Sequence, residues 1–123
     1  MTVMQMVKEF AEVMGQEPNA LLSETLVDEE YEEWSFEVSL QSGEMSKHYA
    51  QKYDPTKELK ELSDLVYVIY GYANVCGWDL DEAVRRVHEN NIGRCVQPDG
   101  SILRREDGKI IKNKDYPKVE LGD

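Results

Sequence analysis

Glu30 and Glu33, three residues apart in "EEYEE", and Glu61 and Asp64, three apart in "ELSD", are the residues of this 123-residue chain whose types and spacing point to chemistry. Carboxylates at i and i+3 of a helix project from one face, so each pair offers several oxygens to a common ligand. Spacing alone carries little weight in a chain with 25 Asp and Glu. What gives these pairs weight is the company they keep.

On an ideal helix at about 100° per residue, Leu22, Leu26, Phe36 and Leu40 share a sector with Glu29, Glu33 and Glu37, and Glu30 stands at its edge. Over 58–76 the same construction gathers Leu59, Leu62, Leu65, Val66, Ile69, Tyr72 and Cys76, with Glu61 inside the stripe and Asp64 on its border. A solvated acidic face would lie opposite the apolar one. Buried carboxylates are costly unless paired or bound to metal. If the two faces meet, four carboxylates converge and raise one another's pKa. An all-oxygen set without His or Cys suits a hard cation, so Mg²⁺ is expected, with Mn²⁺ as its substitute. Mg²⁺ in such sites shares substrate phosphates, which implies a phosphorylated ligand.

The elements that must position these groups are helical. Val3, Met6, Val7, Phe10 and Met14 recur at helical spacing before Gly15 and Pro18, predicting a helix over 2–15. A second helix is expected from about Ala20 to Leu40, with "QSGE" ending it at Gly43. Residues 44–53 are helix-compatible but weakly patterned. Asp54-Pro55-Thr56 is a start signal for a third helix from about Thr56 to Cys76, stopped by Gly77. Asp79 and Glu82 then form a cap and its partner for a fourth helix, with Leu80, Ala83, Val84 and Val87 on one face and Gly93 as its end. Beyond it, Asp99-Gly100 and Asp107-Gly108 are turn signals around short β-prone runs. The expected fold is an all-α helical bundle over 1–96 with a C-terminal hairpin and arm over 97–123.

Composition narrows the function. Fourteen Lys and Arg against 25 Asp and Glu leave a formal charge of −11, which argues against nucleic-acid or anionic-membrane partners. Residues 1–96 hold 8 basic and 19 acidic side chains, whereas 97–123 hold 6 of each, so the acidity belongs to the helical body. Cys76 and Cys95 lack C-x-x-C spacing, and His48 and His88 have no metal-motif partner, indicating a reducing cytosol and no zinc. The start "MTVMQMVKEF" lacks the pattern of a signal peptide, and "LVYVIY" is far short of a membrane span. The expectation is a soluble cytoplasmic protein. No G-x-x-x-x-G-K-[ST] occurs, so neither Gly71 nor Gly77 belongs to a phosphate-binding loop of that kind.

"EEYEE" and "ELSD", with 27 residues between Glu33 and Glu61, resemble the E-E-x-x-E and E-x-x-D motifs of the all-α nucleoside triphosphate pyrophosphohydrolases, the MazG-like group. The relatives of that group include dimeric dUTPases and phosphoribosyl-ATP pyrophosphohydrolase. The resemblance runs through "DLVYVIYGYANVCGWDLDEAVRRVHENNIGR" and the tail "REDGKIIKNKDYP", about residues 20 to 118, and is similar to the compact phage and bacterial branch. It implies that Glu30, Glu33, Glu61 and Asp64 ligate Mg²⁺, with Glu29 supporting the site or orienting the attacking water. The implied reaction is hydrolysis of a (d)NTP to (d)NMP and pyrophosphate, for purine deoxynucleotides such as dGTP or dATP, in nucleotide-pool control, and in the host cytoplasm for a phage protein.

A triphosphate needs cations beyond the metal. Asn91 and Arg94 near the end of the fourth helix, and Arg104, Arg105, Lys109 and Lys112 in the tail, are the candidates, and the resemblance has Tyr116 close with them over nucleotide. Asn91 reads equally as a helix C-cap. Lys47 and Lys52 lie in the long linker and are open to a role in the nucleotide pocket. Trp34, Trp78 and Tyr67 are read first as core or dimer interface and second as surfaces for stacking on a base, His88 as an exposed helix residue, and Cys76 as a small packed hydrophobe. The helices of one chain leave the acidic face half covered, so a homodimer or homotetramer is expected. The enzymatic alternative is a phosphoribosyl-ATP pyrophosphohydrolase. The alternative from another class is a non-catalytic acidic helical interaction protein.

Overall fold

Thr2 accepts a hydrogen bond from the Gln5 amide while the Gln5 side chain accepts one from the Thr2 amide, a reciprocal cap worth about 1 kcal/mol that starts helix α1, Val3–Met14. Gly15, where the sequence places the end of the helix, closes it in the left-handed conformation at φ 61°. The computed structural model describes residues 1–43 and 52–122. The weak pattern over 44–53 therefore falls mostly outside the described residues, as do Lys47 and His48.

Asn19 caps α2, Ala20–Ser39, by accepting from the Leu22 amide, and a 3₁₀ turn over Leu40–Ser42 carries the chain to Gly43 at φ 79°. Asp54 caps α3, Pro55–Val75, through the Thr56 amide, with Pro55 in the first turn where a missing N–H costs nothing. α4 spans Leu80–Cys95. The protein is all-α, with four α-helices and no strand among the described residues.

Two compact units emerge, Met1–Leu80 and Asp81–Asp123, so most of α4 groups with the tail. In the first unit α2 packs along α3, and α1 packs against α3. Met4, Val7, Leu40, Leu65 and Ala73 are the buried apolar side chains among the described residues. The expected core stripes are thus only partly buried: Met6, Phe10, Met14, Leu22, Leu26, Leu59, Leu62, Val66 and Ile69 remain exposed at 36% or more. Periodicity identified which side of each helix is apolar, but a single chain supplies too few elements to cover all three sides.

In the second unit the tail is tied to α4. The Asn90 amide donates to the Pro117 carbonyl at 2.8 Å, the Arg86 guanidinium to the Glu120 carbonyl at 3.3 Å, and the Asn113 N–H to the Arg94 carbonyl at 2.6 Å. Gly93 does not end the helix as its type suggests. It sits inside α4 with Tyr116 so close that a Cβ at this position would overlap the Tyr116 hydroxyl. The glycine serves close approach rather than termination. Asn91 likewise is no C-cap: it lies within the helix and its side-chain oxygen accepts from Arg94 at 2.6 Å.

The expected hairpin is reduced to a single antiparallel bridge between Arg104 and Ile110, flanked by Arg105 to Lys109 and Ile111 to Leu103 backbone hydrogen bonds of 2.8 Å. Gly100 and Gly108, at φ 86° and 87°, make the turns the Asp-Gly pairs predict. Each turn closes on its own short loop, and the pairing is too short to form strands.

Candidate active site

α2 and α3 bring their acidic pairs to one place. One carboxylate oxygen from each of Glu30, Glu33 and Glu61 lies within 4.8 Å of the other two. A six-coordinate Mg²⁺ spaces its oxygens about 3 to 4 Å apart, so the three side chains stand near that arrangement. Glu30 and Glu61 are half-buried and Glu33 is exposed. Glu30 Oε2 and Glu61 Oε2 are buried without a hydrogen-bond partner. Burial, and then the nearby Glu33 carboxylate, hold the Glu30 carboxyl above the usual range. Burial and Glu33 likewise push Glu61 up, while Lys60 opposes the shift.

The donor set fits a hard divalent cation. It is all oxygen, it crowds like charges, and it leaves buried oxygens orphaned, which a cation would relieve. Asp64 stands beside this trio rather than in it. Its carboxylate accepts the Lys60 ammonium at 2.6 Å, an i,i+4 pair, and Lys60 also reaches Glu61 at 3.8 Å. Pairing with Asp64 raises the Lys60 pKa. Lys60 escaped the sequence reading although its four-residue offset from Asp64 in "KELSD" was there to see.

Glu29, Glu32, Glu33, Phe36, Glu37 and Glu61 line an open acidic depression of about 390 Å³ on this face. Glu29 is exposed, and Glu37 Oε2 is buried without a partner. On the other side of Glu30 and Asp64 lies a largely apolar pocket of about 370 Å³ between α1, α2 and α3, with Phe10, Leu26, Tyr67 and Val68 among its walls. Phe10 and Tyr67 meet there edge to face, ring centroids 5.9 Å apart. Sequence reading missed this pocket because its walls come from separate segments.

The aromatic expectations divide. Tyr67 is half-buried, Trp34 is half-buried with its indole N–H unpartnered, and Trp78 is 61% exposed against the edge of Tyr72. His88 is exposed and Cys76 half-buried and free, as read.

The expected phosphate-binding residues belong to the second unit. Arg94 bonds Asn91 through one terminal nitrogen and keeps a buried, unpartnered Nε. Arg104 donates to the Gly108 carbonyl at 3.1 Å, Arg105 pairs with Asp107 at 2.6 Å, and the Lys109 amide donates to Asp107 at 3.0 Å. Lys112 is exposed, and Tyr116 rests on Gly93. Lys52, at the end of the linker, is exposed. No helix among the described residues is long and apolar enough to cross a membrane.

None of the curated proteins compared with the chain matches it. A family match does, over residues 3–91, taking in α1, α2, α3 and most of α4. It begins earlier than the resemblance noted from residue 20 and stops short of the tail, so it does not carry the likeness to the compact phage and bacterial branch. It contains both acidic pairs. Spanning well over half of its length, this match shows that the chain belongs to the phosphoribosyl-ATP pyrophosphohydrolase family, within the MazG-like all-α superfamily of nucleotide pyrophosphohydrolases.

Proposed function

We propose that the chain is a Mg²⁺-dependent pyrophosphohydrolase that cleaves between the α and β phosphates of a purine nucleoside triphosphate, dATP or dGTP, releasing the monophosphate and pyrophosphate. The supporting observation is the convergence of Glu30, Glu33 and Glu61, with a buried oxygen on Glu30 and on Glu61 that no protein group satisfies. Mn²⁺ is an acceptable substitute for Mg²⁺ with such ligands.

When bound, the cation would neutralise phosphate charge and make water a competent nucleophile near neutral pH. The protein's own part is positioning. Glu30, Glu33 and Glu61 would hold the cation, and Asp64, paired with Lys60 beside them, would be available as a further ligand. Glu29, exposed in the acidic depression, accepts a hydrogen bond from the attacking water and orients it toward the α-phosphorus. Within the second unit, Arg94, Arg104, Lys109 and Lys112, with Asn91 and Tyr116, are the groups whose donors suit phosphate oxygens. A homodimer, or a dimer of dimers, covers the apolar sides of α1, α2 and α3 that one chain leaves exposed.

Phosphoribosyl-ATP, the substrate in the family's name, is the second reading and is favoured by the match over residues 3–91. Both substrates carry the same triphosphate and the same scissile bond. Incubation with each dNTP, each NTP and phosphoribosyl-ATP in Mg²⁺, with a parallel EDTA arm and anion-exchange separation of products, tests both. Monophosphate plus pyrophosphate from a purine dNTP, abolished by EDTA, is the expected result. Product from phosphoribosyl-ATP alone selects the second reading. No turnover of any substrate overturns the enzymatic assignment and leaves an acidic interaction protein.

A further inference from the structure

We infer that Glu58 is a positioning residue for the acidic site. By accepting hydrogen bonds from Gln41 and Tyr53 it latches the end of α2 to the start of α3, and so holds Glu33 and Glu61 together before any cation arrives. The inference rests on the proposed function for one point, that Glu30, Glu33 and Glu61 are the groups that hold the cation.

Tyr53 Oη donates to Glu58 Oε1 at 2.9 Å, and Gln41 Nε2 donates to the same oxygen. Gln41 stands in the 3₁₀ turn that follows α2, Tyr53 just ahead of the Asp54 cap, and Glu58 in the first turn of α3. One carboxylate oxygen therefore joins three points: where α2 ends, where the chain returns, and where α3 begins. The turn that carries Gln41 is itself fixed, because Leu40 is only 2% exposed and Ser42 Oγ donates to the Ser39 carbonyl at 3.1 Å. The bond to Glu58 raises the Tyr53 phenol above its ordinary range, so the hydroxyl keeps the proton it donates.

The latch and the acidic trio lie on one seam. Glu61 follows Glu58 by three residues, about 4.5 Å along α3, and Glu33, Glu37 and Gln41 are spaced by four along α2 and its closing turn. Glu33 meets Glu61 and, farther along α2, Gln41 meets Glu58, so the helices run in opposite directions and the latch closes the end nearer the site.

Such a seam needs a tie. Three carboxylates within 4.8 Å of one another repel in the metal-free protein and push α2 and α3 apart where a cation must enter. Hydrogen bonds to a carboxylate are the stronger kind, and these act within a turn of the repulsion on α3. Glu58 is no member of the trio, nor does it line the acidic depression. An acid in the first turn of a helix also complements the helix dipole, but that role needs only the charge. The latch needs an acceptor oxygen together with Gln41 and Tyr53, which makes the two roles separable.

The test measures Mn²⁺ binding to the full chain by EPR, without nucleotide. Tyr53→Phe removes one oxygen and is expected to raise the Mn²⁺ Kd about three- to tenfold; Gln41→Leu, whose bond is exposed and open to replacement by water, about two- to threefold. Glu58→Ala is expected to match or exceed Tyr53→Phe, and combining the two to add nothing further. Glu58→Gln, which keeps an acceptor oxygen, is expected to recover most of the affinity that Glu58→Ala loses. Turnover at saturating Mg²⁺ is expected to stay within about twofold in each variant, since the cation then clamps the helices itself. In the metal-free protein, Tyr53→Phe and Glu58→Ala are expected to shift the Glu30 and Glu33 amide resonances, and Glu58→Gln to leave them in place. An unaltered Kd in Tyr53→Phe and Glu58→Ala overturns the inference. So does equal weakening by Glu58→Gln and Glu58→Ala, which reduces Glu58 to a charge at the helix start. Amide shifts in a protein whose wild type binds no Mn²⁺ would sustain the latch and sink the cation site; their absence in a protein that binds Mn²⁺ would do the reverse.

Discussion

Glu82 on α4 and Glu61 on α3 have similar neighbourhoods in sequence, acidic helices with basic residues one turn away, yet they meet opposite surroundings. Arg85 and Arg86 converge on Glu82 at 2.5 and 3.0 Å, and Arg85 reaches on to Glu89 at 2.5 Å. The hydrogen bonds from Arg85 and Arg86 hold the Glu82 carboxyl down at about 2. Glu61 faces two other carboxylates, has a buried oxygen without partner and is pushed upward. The Glu82 set stabilises its helix. The Glu61 set destabilises the protein unless something positive arrives, and crowding of that kind marks a ligand site better than the count of acidic residues does.

The most severe way to break this contrast is to neutralise one acid on each side. Glu33→Gln or Glu61→Gln is expected to lower turnover by more than about 100-fold, beyond the usual effect of an outer-sphere partner, while the metal-free protein melts at the same or a higher temperature. Glu82→Gln is expected to leave turnover within about twofold and to lower the melting temperature. Steady-state kinetics and thermal melts of the three variants check both halves.

Metal addition should separate the two sets next. At Mg²⁺ one hundred times its Kd, the wild-type protein is expected to gain about 2.7 kcal/mol of stability, reversed by EDTA. Glu33→Gln should lose most of this gain and Glu82→Gln should keep it. Equal gains in both variants would place the cation elsewhere.

The pH dependence of the metal-free protein should differ in sign. The folded-state values of Glu30 and Glu61 lie above the ordinary 4.5, so their contribution favours folding below that value and is lost as pH rises through the raised values. Glu82 is depressed to about 2, so its contribution is present above 4.5 and fades as pH falls toward about 2. Melting curves of Glu30→Gln and Glu82→Gln, each subtracted from wild type across acid pH, should slope in opposite directions.

The mildest expected change concerns Lys60. Its side chain is 67% exposed, so its ion pair with Asp64 is screened and weak. Lys60→Met should free Asp64 and reduce the Mg²⁺ needed for half-maximal activity by about two- to threefold. An increased Mg²⁺ requirement would mean that Lys60 helps to hold substrate instead.

Much of this contrast was legible before any coordinates. Caps and stops placed three helices to within a residue or two, because Asp54, Gly15 and Gly43 act locally. The acidic pairs were found because i,i+3 spacing on an apolar face is a local property as well. Lys60 carries no distinctive signal in sequence, because an i,i+4 pair with an acid is commonplace on an exposed helix face. Gly93 was misread because its meaning depends on Tyr116, 23 residues away. The pocket was invisible for the same reason: Phe10, Gln16, Leu26 and Asn74 share a wall only after α1, α2 and α3 have packed. Side-chain burial was overestimated because periodicity names an apolar face without saying what covers it.

The Tyr116 ring occupies a notch cut into α4 by the absence of one methyl group. Alanine, the gentlest replacement in any other helical position, would here press on the tip of the Tyr116 ring and displace it beside the anchors at Asn90 and Arg94. Tail and helix are therefore constrained together: a single nucleotide change at codon 93 alters the seat of a ring more than twenty residues downstream. Surface position gives no warning of that sensitivity.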